Sequence, residues 1–168
     1  NVTSMAAAWG DLVALKWDVA DHRVNNSARQ AKIGIFLGPL DSSGVALVAF
    51  LVRQGHAMQI ASCQHQRCSA ILWQHFGCTP IRLYNIYGDA SGSVEGTMET
   101  GALARAALID AEEAGAVPSL FGGDLNLTFT ELPCLHALVA SNRYDIGSEV
   151  TCAPSLGACR RIHLLIAN

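Results

Sequence analysis

The residues FGGDLN at positions 121–126 constrain the fold more than any other stretch of this chain. They follow a short apolar run that is typical of the end of a β-strand. Gly122 and Gly123 let the backbone turn sharply where a side chain would clash. Asp124 and Asn126 stand two positions apart, and on an extended segment such residues point to the same face. The pattern predicts a carboxylate and a carboxamide side by side at the C-terminal edge of a strand.

This pair of side chains suits the recognition of a phosphate group. The carboxylate of Asp124 can hold Mg²⁺, because this cation prefers oxygen ligands. The carboxamide of Asn126 can donate a hydrogen bond to a phosphate oxygen. The alternative is a plain Gly-Gly-Asp turn capped by Asn126, and the stretch by itself leaves both interpretations open.

Length and composition predict a single globular domain. The chain has 168 residues, of which 51% are hydrophobic and 15% are charged, so it can bury a substantial core. Its net charge of -3 disfavours a strong, non-specific grip on nucleic acid, which usually needs a basic surface. The charge does not argue against cleavage of a phosphodiester at a small site.

The sequence carries no signal for membrane insertion or secretion. No apolar run reaches the length that spans a bilayer, and no charged-then-apolar leader opens the chain. Its six cysteines are therefore expected as free thiols in a reducing compartment. We expect a monomeric intracellular domain, nuclear or cytoplasmic, that occupies 1–168 and is cut from a longer chain.

Hydrophobic periodicity and turn residues predict mixed α/β layers. Strands are expected at 1–4, 17–24, 33–37, 44–52, 70–73, 81–87 and 162–167, and helices at 5–16, 97–115 and 132–141. The dense apolar run at 44–52 is typical of a strand that is buried on both faces. The helix at 97–115 is expected to bury one stripe, made of Met98, Leu103, Ala106, Ala107 and Ile109.

Five short motifs, in this order along the chain, are similar to those of one family. They are NVTS at 1–4, ADHR at 20–23, SGVAL at 43–47, YNIYG at 84–88 and GGDLN at 122–126. Together they resemble the endonuclease/exonuclease/phosphatase superfamily, which includes DNase I-like nucleases, apurinic-site endonucleases and the endonuclease domains of non-LTR retroelements. The resemblance implies an α/β two-sheet sandwich flanked by helices, incomplete at its C-terminus.

The resemblance also implies a Mg²⁺-dependent (or Mn²⁺-dependent) phosphodiester hydrolase, with DNA or another phosphodiester as its substrate. Asp21 would ligate the metal with Asn1 and Asp124, and Asp124 would also orient the attacking water. Asn126 and Tyr87 would bind phosphate oxygens. A retroelement-type endonuclease is the activity that this set of residues favours.

Three departures from the family pattern bear on that activity. Asp21 stands where the family has Glu and is shorter by one methylene. His163 stands at the catalytic position of an Arg-Ile-Asp strand, where an imidazole replaces the carboxylate. The family's final Ser-Asp-His motif does not follow, so we expect 1–168 alone to be nearly inactive. A degenerate copy that binds without cleaving, and a phosphatase for small phosphoesters, stay open as alternatives.

A second group of candidate ligands lies in the middle of the chain. Cys63, His65, Cys68, His75 and Cys78 include two close pairs of the kind that hold zinc. The alternative is a cysteine-rich hairpin with reduced thiols, which the unusual spacing favours.

Overall fold

The computed structural model of the chain describes residues 33–53, 56–128, 131–134, 136, 144–145 and 163–167. Within this part, the elements are β1 (Gly34–Leu37), β2 (Ala49–Val52), β3 (His56–His65), β4 (Cys68–Gln74), β5 (Ile81–Ile86), α1 (Val94–Glu113), β6 (Ser119–Asp124), β7 (Tyr144–Asp145) and β8 (His163–Ala167). The elements predicted over 1–24 lie outside the described residues. The helix predicted over 132–141 is described only at its first residues.

The described strands form two sheets. β1 and β2 make a two-stranded antiparallel sheet, and the remaining six strands are ordered β3-β4-β5-β6-β8-β7. β5 and β6 are parallel and are connected through α1, whereas the other neighbouring strands are antiparallel. A parallel pair needs such a crossover connection, because a tight turn can only reverse the chain.

Two successive side chains of β5 show how the layers are stacked. The hydroxyl of Tyr84 donates to Asp110 of α1 at 2.5 Å. The next side chain, Asn85, donates to the backbone oxygen of Ala49 in β2 at 2.9 Å. Successive side chains of a strand point to opposite faces. The larger sheet therefore lies between α1 and the smaller sheet, and the predicted α/β fold with two sheets is confirmed.

Small residues form the face of α1 that packs on the sheet, so the predicted stripe is largely wrong. Met98 and Ile109 are 70% and 49% exposed, although both were expected in the core. The buried positions are Gly96, Thr100, Ala104, Ala107, Leu108, Asp110 and Ala111. Most of these side chains are small and let the helix axis approach the strands closely, with Leu108 as the large apolar residue among them, whereas Met98 and Ile109 point away from the core.

Ser93 sets the start of α1, three residues before the predicted start at Thr97. Its hydroxyl oxygen accepts a hydrogen bond from the backbone N–H of Gly96 at 3.0 Å, which caps the first turn. Gly115, with a φ of 72°, follows the last turn, as the sequence predicts. In the part of the chain that the structure describes, no helix is both long and apolar enough to cross a membrane.

The strand predicted over 44–52 is wrong in its first half. The carboxylate of Asp41 accepts the backbone N–H groups of Ser43 and Val45 at 2.8 and 2.9 Å, which folds the chain into a turn. β2 therefore begins only at Ala49, and all its residues are half-buried rather than fully buried. Val45 and Leu47 are 36% and 37% exposed. The short strand predicted over 33–37 is confirmed as β1.

The predicted antiparallel pair at 70–73 and 81–87 is confirmed as β4 and β5. β3, which the sequence analysis did not predict, pairs with the other side of β4. Its apolar residues are interrupted by Gln59 and Gln64, and the strand register shifts between these two residues. The shift breaks the alternation that makes a strand recognisable from its sequence.

A polar network lies inside the layer between the sheet and α1. The rings of Tyr84 and Phe121 are stacked with their centroids 4.6 Å apart. The carboxylate of Asp110 accepts hydrogen bonds from the hydroxyl of Tyr84 and from the guanidinium of Arg82, both at 2.5 Å. Burial, together with the Asp110 hydrogen bond, raises the pKa of Tyr84 far above its usual range. The tyrosine therefore serves this network as a neutral donor.

We expect Tyr84→Phe to lower the free energy of unfolding by about 2 kcal/mol, because a buried carboxylate loses a hydrogen-bond donor. Urea unfolding, followed by circular dichroism, measures this change. Met98→Leu is the control, since an exposed substitution should change stability by less than about 0.5 kcal/mol. Equal stabilities of the two variants would contradict a stabilising role for the hydroxyl.

Candidate active site

The predicted catalytic stretches meet at one edge of the larger sheet. In the parallel register, Asn85 of β5 stands opposite Gly122 of β6, so the carboxyl ends of both strands lie together. Tyr87 follows directly after β5, and Asp124 is the last residue of β6. Sites in α/β proteins commonly form where parallel strands end, because the connecting loops gather there.

Hydrogen bonds connect the two loops at this edge. The N–H of Gly88 donates to the backbone oxygen of Asp124 at 2.7 Å. In return, the side-chain amide of Asn126 donates to the backbone oxygen of Gly88 at 3.1 Å. Two loops that are distant in the sequence thus hold each other in place. Since a carboxamide has two N–H groups, at most one of them in Asn126 is left to bind a ligand.

Asp124 and Asn126 are neighbours through a turn, and the extended arrangement predicted for them is wrong. Asn126 has a φ of 54°, in the left-handed region that Asn tolerates better than most residues. Its backbone N–H donates to the Asp124 carboxylate at 3.2 Å. The two side chains are close because Asp124 folds its own turn, and both are half-buried.

Two glycines make this close approach possible. A Cβ atom at Gly88 would overlap the backbone oxygen of Leu125. A Cβ atom at Gly123 would overlap the backbone oxygen of Ile86, and Gly123 also has a φ of 140°. The glycine signature at 122–123 therefore marks the approach of two loops as well as a turn. Gly88, the last residue of the YNIYG motif, contributes equally, although the motif did not indicate this role.

Arg67, which the sequence analysis missed, holds Tyr87. Its backbone oxygen accepts the N–H of Tyr87 at 2.8 Å, and its guanidinium carbon lies 5.8 Å from the centre of the Tyr87 ring. The same guanidinium pairs with the carboxylate of Asp89 at 3.0 Å. Arg67 lies in the turn between β3 and β4, so no local motif marks its proximity to Tyr87.

Asp89 ties the Tyr87 loop to α1. Its carboxylate accepts hydrogen bonds from the backbone N–H and the hydroxyl of Ser91, which, with the nearby Arg67, hold the pKa of Asp89 below its usual value. Its own N–H donates to the hydroxyl of Thr100 in α1 at 2.9 Å. The loop after β5 is thus anchored on the β3–β4 turn and on the helix.

The other predicted site residues are described only in part. His163 begins β8 and is the direct register partner of Asp124, so position 163 lies at the same edge of the sheet. Asn1 and Asp21 lie outside the described residues. The structure therefore brings together Tyr87, Asp124 and Asn126, with position 163 beside them.

The donor atoms at this edge are suitable for Mg²⁺. Asp124 provides carboxylate oxygens, and Mg²⁺ in proteins is commonly held by one or two carboxylates plus waters. Among the described residues, no group of three or more His, Cys, Asp or Glu side chains is arranged to hold a metal ion. A complete metal site would therefore need ligands from elsewhere in the chain, and Asn1 and Asp21 are the predicted ones.

The five predicted zinc ligands do not form one cluster. Cys63 and Cys68 lie at one end of β4, with their sulfur atoms 3.0 Å apart. His75 and Cys78 lie beyond the other end, with the imidazole Nδ1 3.9 Å from the sulfur. The seven residues of β4 separate the two pairs by roughly 20 Å. The zinc interpretation is wrong.

Solved structures share this architecture. The endonuclease domain of TRAS1, a telomere-specific non-LTR retrotransposon, superposes with a TM-score of 0.62 at 13% identity, over 80% of this chain and 64% of that one. TDP2 from D. rerio, complexed with a single-strand DNA product, gives a TM-score of 0.59 at 16% identity, over 84% and 64%. This is the DNase I-like fold of the endonuclease/exonuclease/phosphatase superfamily.

The DNase I-like fold also occurs in a phosphatase that resembles this chain. The mannosyl-6-phosphatase Bt3783 of Bacteroides thetaiotaomicron has a TM-score of 0.57 at 13% identity, over 87% of this chain and 67% of that one. No protein-family model and no curated protein matches the sequence. The chain spans 64% of the length of the TRAS1 and D. rerio TDP2 chains. The DNase I-like fold expected from the five motifs is thus confirmed by structure.

Proposed function

We propose that this chain is a metal-dependent phosphodiester hydrolase that cleaves DNA, of the retroelement endonuclease type. The observation that carries the proposal is the edge where Asp124, Asn126 and Tyr87 meet at the ends of two parallel strands. Backbone hydrogen bonds and glycine contacts fix this edge before any ligand binds. Such preorganisation is what stabilisation of a charged transition state requires.

Each of the three side chains has a role that its chemistry allows. The carboxylate of Asp124 orients the attacking water and accepts its proton. The second N–H of Asn126 and the hydroxyl of Tyr87 donate to phosphate oxygens, where negative charge develops. Arg67 positions Tyr87 through its backbone oxygen and its guanidinium.

Mg²⁺ (or Mn²⁺), held by Asp124 with Asn1 and Asp21, would supply neutralisation of the phosphate charge. His163 is proposed as a further catalytic residue, because its strand position stands opposite Asp124. An imidazole donates a hydrogen bond from at least one nitrogen, whereas the carboxylate it replaces can only accept.

The proposed protein acts as a monomeric domain within 1–168, in the nucleus or the cytoplasm. DNA is the preferred substrate because the TRAS1 domain is an endonuclease and the TDP2 structure holds a DNA product. A second candidate is hydrolysis of small phosphate esters. Similarity to a mannosyl-6-phosphatase and the net charge of -3 favour that alternative.

Nicking of supercoiled plasmid separates the two candidates. With Mg²⁺ present, we expect the chain to convert supercoiled plasmid into the open-circular form only slowly, because of its three departures from the family pattern, and EDTA to stop the conversion. A panel of sugar phosphates and nitrophenyl phosphate should yield no inorganic phosphate, because the site is proposed for diesters. Hydrolysis of the phosphomonoesters without plasmid nicking would replace the nuclease proposal with the phosphatase one. Binding of plasmid without either activity would favour the degenerate copy.

A further inference from the structure

Two buried cysteines face each other where β3 and β4 are joined. The sulfur atoms of Cys63 and Cys68 are 3.0 Å apart, and the residues are 6% and 1% exposed. The register pairs Gln64 with Ser69 across the hairpin, so the two cysteines are diagonal neighbours on the same face of the sheet. Neither thiol belongs to the proposed catalytic set.

The distance between these sulfur atoms is close to that of a covalent bond. A disulfide has an S–S length of about 2 Å, so each sulfur needs to move by only about half an ångström. The connecting turn at 66–67 is at the surface, whereas the two thiols point into the core.

We propose that Cys63 and Cys68 form a reversible disulfide when the protein meets a peroxide. The Cys63 thiolate attacks one peroxide oxygen, so an S–O bond forms while the O–O bond breaks and the departing hydroxide becomes water. The Cys68 sulfur then attacks the Cys63 sulfur, and the S–S bond forms while the S–O bond breaks. The thiol proton of Cys68 passes to the departing hydroxide, which leaves as water. Two thiols are oxidised by two electrons, and one hydrogen peroxide is reduced to two waters.

The environments of the two thiols assign the order of these steps. The contact with the Cys68 sulfur lowers the pKa of Cys63. The same contact, together with burial, raises the pKa of Cys68. Cys63 is therefore the residue that becomes a thiolate first, and it is also the less buried of the two.

The cross-link would act next to the proposed site. Arg67 lies between the two cysteines, and its backbone oxygen accepts the N–H of Tyr87. Closing the hairpin end covalently restricts the turn from which Arg67 holds Tyr87. A disulfide over so short a loop should raise the melting temperature by roughly 5 °C, and dithiothreitol should reverse the rise.

Peptide mapping tests the proposal directly. The full chain is treated with hydrogen peroxide, its remaining thiols are alkylated, and it is digested with trypsin without reductant. Because trypsin cuts after Arg67, the peptides that end at Arg67 and begin at Cys68 should stay joined, and dithiothreitol should separate them. The second peptide also holds Cys78, so Cys78→Ser is the control and should keep the joined species, whereas Cys63→Ser should lose it.

Two results would overturn the proposal. One is alkylation of both Cys63 and Cys68 after peroxide treatment of the unmodified sequence, at doses that oxidise exposed Cys78. The other is a joined species that persists in Cys63→Ser or whose fragment spectrum places the bond at Cys78. The spectrum of the unmodified chain decides the matter even if the variant fails to fold. The readout is covalent mass, so it is independent of whether the chain cleaves DNA.

Discussion

Asp124→Asn is expected to lower Mg²⁺-dependent plasmid nicking by about 100-fold or more. The substitution keeps the shape of the side chain, and the amide oxygen can still accept the N–H of Asn126, so the turn stays folded. What is lost is the negative charge that we propose orients water, accepts a proton and binds a cation. Removing a general base typically costs 10² to about 10⁴ in rate. Initial nicking rates at equal concentrations of folded protein measure the loss.

Asp41→Asn is the matched control for this prediction. Asp41 also folds its own turn, by accepting the backbone N–H groups of Ser43 and Val45. The hydroxyl of Ser43 also donates to this carboxylate, and it lowers the pKa of Asp41 together with the backbone hydrogen bonds. The control therefore removes a carboxylate that also folds its own turn but is not among the proposed site residues. Nicking by this variant should stay within about two-fold of the unmodified chain. Equal losses in both variants would mean that turn geometry, and not the charge of Asp124, limits activity.

Gly88→Ala is expected to destabilise the protein by about 4 kcal/mol and to abolish nicking. The new methyl group would overlap the backbone oxygen of Leu125, and a backbone atom cannot rotate away as a side chain can. The two loops would have to separate, which breaks the hydrogen bonds from Gly88 to Asp124 and from Asn126 to Gly88. Urea unfolding and the plasmid assay measure the two consequences.

Gly101→Ala provides the opposite outcome from the same chemical change. Gly101 lies within α1, and a Cβ atom there would have no heavy atom within 4 Å. The substitution should stabilise the helix by up to about 1 kcal/mol, because alanine restricts the unfolded chain and favours the helix. If Gly88→Ala proved as stable as Gly101→Ala, the close contact between the two loops would not exist in solution.

The sequence predicted best where structure is decided locally. β4, β5 and the end of α1 shortly before Gly115 follow from turn residues and apolar runs that act over a few positions. The order of the five motifs also indicated the fold, because a family resemblance carries tertiary information that periodicity lacks. Asp124 and Asn126 could be placed together from their spacing, although the turn that joins them differs from the expected extension.

Sequence reasoning failed where packing or distant contacts decide the outcome. Counting hydrophobic residues put Met98 and Ile109 in the core, but close approach to the sheet selected small residues on α1 instead. The Asp41 turn shortened β2 for a similar reason, since one side-chain acceptor outweighed a run of apolar residues. Arg67 is beyond any local pattern, because its relation to Tyr87 exists only once the hairpin and β5 have paired.

The crossover between β5 and β6 also has a consequence for how the protein acquires its site. Asn126 and Gly88 are 38 residues apart in the chain, and α1 lies between them. Contacts of such long sequence separation pay a larger loop-closure entropy than the local contacts of the β4–β5 hairpin. The hairpin and helix are therefore expected to form early in refolding, and the bond between Asn126 and Gly88 late. Newly made chains would pass through a compact stage that has most of its secondary structure and in which the proposed site is not yet assembled.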